Sequence, residues 1–217
     1  MRKGIEINEP DGFENVPCVL CGQENSQLLE TKGRDGLSTY VSICLNDGLV
    51  YLNPRWPKER YASFYKEAYY RCHRPEALGA KTEKLRYGPV KEMWDRLSEF
   101  NGIQPINAVL DIGAGMGWSL DFIRERTSSS VLLAAIEPSA QCAQHLANHL
   151  NIKVLSNDVD SEWHYAEEGK YDLIIMRHVL EHFPNPVEAL KKVRYALKEK
   201  GIVYMAVPNM MAPNEPL

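Results

Sequence analysis

The 217-residue chain has no run of about 18 consecutive apolar residues, so no membrane-spanning helix is expected. Its first residues, MRKGIEINEPDG, lack the apolar centre of a secretory signal, and the expected compartment is the cytoplasm. Neither sign of charge dominates. The 25 Lys and Arg against 29 Asp and Glu give a net charge of −4, which argues against a nonspecific grip on nucleic acid. Neither a membrane nor a nucleic acid is therefore expected as a partner. There is no internal repeat and no low-complexity tract. Cysteines number five, and in a reducing compartment they are expected to be free, metal-bound or reactive rather than disulfide-paired. The chain also lacks a glycine-rich loop ending in Gly-Lys-Ser/Thr, the arrangement that brings a lysine to a triphosphate.

The composition that is present is ordinarily globular, with 44% hydrophobic and 25% charged residues. Three zones follow one another. Residues 1–56 are rich in turns and hold three cysteines. Residues 57–104 form a helical linker or lid, in which Pro57 can begin a helix. There Leu85, Met93, Leu97 and Phe100 fall among charges, and Gly88-Pro89 is expected to interrupt. Residues 105–217 form the third zone, which alternates strand and helix signals up to residue 208. Short apolar strands are expected at 108–112, 131–136, 152–155, 171–176 and 202–207, with helices at 117–126, 139–150 and 186–198. Ser139 is the expected cap of the second helix. The fold class is α/β: a Rossmann-like parallel sheet with helices on both faces, whose ligands bind at the carboxyl ends of the strands.

At the end of the first of these strands stands VLDIGAGMGW, residues 109–118. A dinucleotide turn, G-x-G-x-x-G, needs a third glycine where helix and strand pack closely, and Trp118 stands there instead. Asp111 is a poor neighbour for pyrophosphate and a good one for a cationic ligand. Glu137 closes the next strand, 20 residues past Gly117, where a carboxylate can accept the hydroxyls of an adenosine ribose.

This pattern resembles the class I S-adenosylmethionine-dependent methyltransferases, in register from residue 108 to 208. YDLIIMRHVLEHFPNP is similar to their fourth-strand motif and LKEKGIVYMAVPN to their fifth. The resemblance implies S-adenosylmethionine as cofactor. It implies that Asp111, Gly113, Ala114, Gly115, Gly117, Trp118, Glu137, Pro138, Arg177 and His178 surround it, and that Asp158 holds the adenine amino group.

The cysteines have a pattern of their own. Cys18-Val-Leu-Cys21-Gly and Cys44-Leu-Asn-Asp47-Gly are separated by 22 residues. Two turns with ligands three apart and a glycine behind are how a structural zinc is gripped. Asp47 stands in for the fourth cysteine and is a harder donor than thiolate. The other reading is three reduced cysteines and a solvated aspartate. The segment resembles the amino-terminal zinc-ribbon-like module of one branch of these methyltransferases, where GLVYLNP and a run of aromatics follow. That resemblance implies Cys18, Cys21, Cys44 and Asp47 as metal ligands, and Tyr69 or Tyr70 as closing the cofactor pocket. Cys72, His73 and Cys142 read as bystanders.

His178-Val-Leu-Glu181-His182 also spells H-x-x-E-H, a zinc-protease pattern that requires a continuous helix. A strand before it and Pro184 and Pro186 after it count against that. In a methyl transfer the acceptor must be held in line and, for oxygen or nitrogen acceptors, lose a proton. His178 and His182 are the candidate bases, and scaffolding is the alternative role for both. The function expected is methylation of a small-molecule acceptor, a sugar or natural product. The alternative is a non-catalytic adenosylmethionine-binding or regulatory module. Class I sheets usually have seven strands and this chain stops after five. The edge at 202–207 is therefore expected to need further residues beyond Leu217, a homodimer partner across that edge, or else to limit solubility.

Overall fold

The computed structural model describes residues 12–33, 38–68, 83–99 and 105–209, with side chains in all of these except 67, 68 and 83–86. Tyr69, Tyr70, Cys72, His73 and Phe100 lie outside the described residues. The chain divides into two compact units, Met1–Tyr61 and Ala62–Leu217.

In the first unit, β1 (Ser26–Lys32), β2 (Ser38–Cys44) and β3 (Val50–Leu52) form an antiparallel sheet in the order β1-β2-β3. Glu14 and Arg55 close a further bridge, exchanging both backbone hydrogen bonds and a 3.2 Å ion pair. The guanidinium of Arg60 lies 4.3 Å over the Trp56 ring. Among the described residues of this unit, the only fully buried apolar side chains are Cys18 and Cys44, while Leu20, Leu28, Leu29 and Leu45 are exposed. A unit this small, with no buried aliphatic core among its described residues, needs another source of cohesion.

Helix α1 (Lys58–Ser63) runs into a π-helical turn, Phe64–Ala68. The second unit continues with α2 (Glu83–Glu99), β4 (Ala108–Ile112), α3 (Trp118–Arg124), β5 (Leu132–Ile136), α4 (Ala140–Asn148), β6 (Lys153–Ser156), β7 (Tyr171–Arg177), α5 (Pro186–Ala196) and β8 (Leu197–Ala206). Its five strands are all parallel, in the order β6-β5-β4-β7-β8.

The strands are apolar on both faces because helices cover both. Val109 of β4, Ala135 of β5, and Leu173 and Ile175 of β7 pack with Met93 of α2, Leu120 and Ile123 of α3 and Leu146 of α4. The alternate residues Leu110, Ile112, Ile136, Ile174 and Met176 face the other way, onto Trp163 and onto Val193 and Ala196 of α5. Ser139 caps α4 by accepting from the Cys142 N–H, and Asn185 caps α5 by accepting from the Glu188 N–H.

Two expectations are corrected. Gly88-Pro89 does not interrupt its helix: α2 runs through with Pro89 inside it. A proline removes one hydrogen bond, and here Val90, Met93 and Leu97, all buried on one stripe, hold the turn in place. The last helix ends at Ala196 rather than 198, and β8 begins at Leu197 rather than 202. Tyr171 pairs with Leu197 and Leu173 with Ile202, so β8 carries extra residues opposite Asp172. Asp172 binds the Lys198 ammonium at 2.7 Å across this bulge. Gly201 is required in it, since a Cβ there would lie 2.8 Å from the Tyr171 carbonyl oxygen.

Candidate functional site

The glycine turn joins β4 to α3 at the carboxyl edge of the sheet. Its end is tied to β5 by the Gly113 N–H, which donates to the Ile136 carbonyl at 2.8 Å. Gly117 has φ +78, and a Cβ there would fall 2.5 Å from Leu146 and 2.7 Å from Leu150, so both backbone conformation and packing demand glycine. The close approach that a dinucleotide turn makes at its last glycine is thus made one residue earlier, which leaves Trp118 to open α3. Its half-buried indole packs on the α2 side of the sheet.

Two carboxylates lie buried under this turn. Glu137, 2% exposed, accepts from the Gly115 N–H at 2.6 Å and from the Ser139 N–H at 2.8 Å. Burial raises its pKa to about 7 against the lowering effect of those two donors. Asp111, 4% exposed, is raised to about 7 by burial, with the charge of Arg177 and the Ser119 hydroxyl opposing the rise and Glu137 adding to it. Ionised, each carboxylate is purely an acceptor with lone pairs to spare, an arrangement suited to a ligand that carries hydroxyls and a positive group.

The remaining predicted residues are more dispersed. Pro138 is half-buried between Glu137 and Ser139. Asp158 lies in the exposed turn after β6, where its carboxylate accepts from the Asp160 N–H at 2.8 Å. Arg177 ends β7, and His178 follows in the left-handed region, φ +51, with its N–H donated to the Ala206 carbonyl at 2.7 Å. A non-glycine residue held there is a mark of strain stored at a site. Val179 then packs against the turn: a Cβ at Gly113 would meet its Cγ2 at 2.9 Å. Leu180–His182 is a single 3-10 turn, so the continuous helix that a zinc protease needs is not formed.

Sequence reasoning missed one contact. The Tyr65 hydroxyl lies 2.9 Å from Nδ1 of His182, with the rings edge-to-face at 5.6 Å. Only the aromatic pair Phe64-Tyr65 hinted at it. A groove of about 430 Å³ also adjoins the turn at Met116 and runs along His145 of α4 and His149, which caps that helix. None of the residues expected to bind cofactor lines it.

In the first unit, Cys18, Cys21, Cys44 and Asp47 place one ligand atom each within 4.8 Å of one another. The two loops are built alike. The Gly22 N–H donates to the Cys18 carbonyl at 2.8 Å and the Gly48 N–H to the Cys44 carbonyl at 2.9 Å, and both glycines are left-handed. Cys18 Sγ lies 3.1 Å from Asp47 Oδ2, and Cys21 Sγ 3.5 Å from Cys44 Sγ. Ligands around a tetrahedral zinc stand roughly 3–4 Å apart. Burial pushes the Cys18 thiol up to about 11, and the Leu49 N–H holds Asp47 down to about 2.

The profile of a methyltransferase domain family matches residues 70–215. The chain belongs to this family. Among curated relatives of the methyltransferase domain, a ubiquinone biosynthesis O-methyltransferase from Glaesserella parasuis serovar 5 is 27% identical over 158 residues. That match covers 61% of this chain and 64% of that protein. The squalestatin hexaketide synthase of a Phoma species is 33% identical over 110 residues, 45% of this chain and 4% of that protein. The chain therefore spans less than two thirds of the length of either. Among solved structures, the plantazolicin methyltransferase BpumL in complex with SAH superposes with a TM-score of 0.55 at 22% identity, over 70% of this chain and 58% of that one. The shared feature there is the fold.

Proposed function

We propose that the chain is an S-adenosylmethionine-dependent methyltransferase acting on a small-molecule acceptor, a sugar or natural product, in the cytoplasm. The observation that carries this reading is the buried Glu137 carboxylate, fixed at the end of β5 against the N–H of Gly115 in the glycine turn. The cradle fits the cofactor. Glu137 has lone pairs left for ribose hydroxyls, and Asp111, once ionised, would be an anion at the strand end that stabilises a cationic amino-acid moiety. Gly113, Ala114, Gly115, Gly117 and Trp118 would form its floor, with Pro138, Asp158, Arg177 and His178 around it. When bound, S-adenosylmethionine supplies an electrophilic methyl group on sulfur. The chain's own part would be to hold the acceptor in line, keep water out and take up the acceptor's proton, for which His178, just after β7, and His182, in the 3-10 turn that follows, are the candidates.

Calorimetric titration with S-adenosylmethionine and S-adenosylhomocysteine tests the reading. Binding of both that is weakened in Glu137→Ala supports it, and no binding of either sinks it. Binding without turnover on any acceptor offered would favour the non-catalytic module.

A structural zinc held by Cys18, Cys21, Cys44 and Asp47 belongs to the same reading. Its support is the near-identity of the two loops and the absence, among the described residues, of a buried aliphatic core in that unit. Elemental analysis should find close to one zinc per chain. A partner copy across the outer edge of β8 is the remaining element, and light scattering tests it.

A further inference from the structure

We propose that Cys21 and Cys44 are a redox pair, closing to a disulfide that takes the place of the metal in the first unit. The release of metal rests on the zinc reading above, and the disulfide itself does not.

The two sulfurs lie 3.5 Å apart, on different loops. A disulfide bond is about 2.05 Å long, so a short approach of two side chains separates the thiols from the bond. The sheet aligns the loops that carry them. Ser26 at the start of β1 is paired with Cys44 at the end of β2. Beside that pair the Leu45 N–H donates to the Asn25 carbonyl at 2.9 Å, and the Asn25 side-chain amide donates to the Asn46 side-chain oxygen at 3.2 Å. The third cysteine of the cluster faces another partner: Cys18 Sγ lies 3.1 Å from Asp47 Oδ2. The pair is unequal in access. Cys44 is 1% exposed and Cys21 is half-buried, so Cys21 is the one of the two that an outside reagent meets.

The oxidant is a low-molecular-weight disulfide. The Cys21 sulfur, as thiolate, attacks one of its sulfurs, and one small thiolate leaves with the electron pair and takes up a proton. Cys44 then attacks the Cys21 sulfur of the mixed disulfide, and the second small thiol leaves in the same way. The pair has lost two electrons and two protons, and the reagent has gained them. Excess small thiol reverses both steps. The new bond links residues 23 apart and ties together the same two loops that a metal would tie, so the unit keeps a cross-link when oxidised. The two ties exclude each other. With both sulfurs consumed, Cys18 and Asp47 are the donors left in the cluster, too few for the four-coordinate geometry of a structural zinc. Oxidation therefore releases the metal. In a reducing compartment such a disulfide is transient and follows the thiol–disulfide balance.

Treatment of the full chain, as purified, with oxidised glutathione tests this. Two of the five thiols should be lost, and tandem mass spectrometry of the unreduced digest should find Cys21 bonded to Cys44. Cys18→Ser should form the same bond. Zinc should appear in solution in step with thiol loss, read by a zinc-binding dye. With chelator present, the oxidised chain should melt its first unit at a higher temperature than the reduced chain. A Cys18–Cys21 or Cys18–Cys44 bond as the main product would overturn the proposal, as would glutathione adducts that never resolve or zinc retained by chains that carry the bond. Should Cys18→Ser fail to fold, the bond mapped in the wild type decides. A chain that holds no zinc before treatment counts against the zinc reading and leaves the mapped bond as the deciding result.

Discussion

The two sites of this chain are assembled in opposite ways. The cysteine cluster is made of two short loops, each closed by its own glycine, in a unit whose only fully buried apolar side chains among the described residues are two of the cluster's own cysteines. The carboxylate cradle is made by strands remote in sequence, set against one another by two apolar layers, and its charged groups are buried by that packing. In the first, a bound metal would support the fold. In the second, the fold supports the site. The physical reason is size: a five-stranded parallel sheet buries enough surface to hold two ionisable carboxyls out of water, and a three-stranded antiparallel one does not.

The most drastic way to break the comparison is to remove a ligand from the cluster. Cys44→Ser, or chelation, should melt the first unit, because metal binding in such small modules is about 10–16 kcal/mol of folding free energy. The second unit should keep its own transition. Calorimetric scans with elemental analysis check this, and an unaltered melt after chelation would make the cluster a metal-less remnant. Loss of turnover should come next. Alanine at whichever of His178 and His182 is the base should cost ~10²–10⁴-fold with cofactor binding retained, once an acceptor is found. Normal turnover in both variants would reduce the pair to scaffolding.

Gly117→Ala sharpens the other side. It places a methyl into Leu146 and Leu150 at a left-handed position, and about 2–4 kcal/mol of the second unit's stability should be lost in denaturant titration, with the cluster untouched. Glu137→Ala should weaken adenosylhomocysteine binding by about 1–3 kcal/mol. Unchanged affinity would put the cofactor elsewhere.

A further effect is on pH dependence. Asp111 and Glu137 have folded pKa values raised to about 7, above their ordinary values of 3.8 and 4.5. The folded state therefore binds protons more tightly than the unfolded one. This contribution is fully present below about pH 4 and is lost as pH rises through about 7. The ligand-free second unit should melt at a lower temperature at pH 8 than at pH 5.5, and saturating adenosylhomocysteine should flatten the slope. A melting temperature that rises over that interval would show that the pair is not buried as described.

Much of this was legible in the chain. The strand at 108–112 has the same bounds in the structure, because four apolar residues and Asp111 running into a glycine turn leave little choice. The cysteine spacing named its cluster, since both halves are local. The start of β8 was not legible. LKEKG looks like the end of a helix, and only the pairing of Tyr171 with Leu197 draws it into the sheet as a bulge. Pro89 was misjudged because proline's local cost is visible in sequence, while the burial of Val90, Met93 and Leu97 that offsets it is not.

The sequence by itself determined the order of strands and helices from residue 105 onward, the glycine turn with its two acids, and the paired cysteine loops; the three-stranded sheet of the first unit it did not. These are properties of residue type and short spacing. Tertiary structure alone decided that Asp111 and Glu137 are buried beneath the turn, that Gly117 rather than position 118 is where two elements touch, and that Tyr65 meets His182. Each depends on which distant segments share a surface, and an alternation of apolar and polar residues carries no record of that choice.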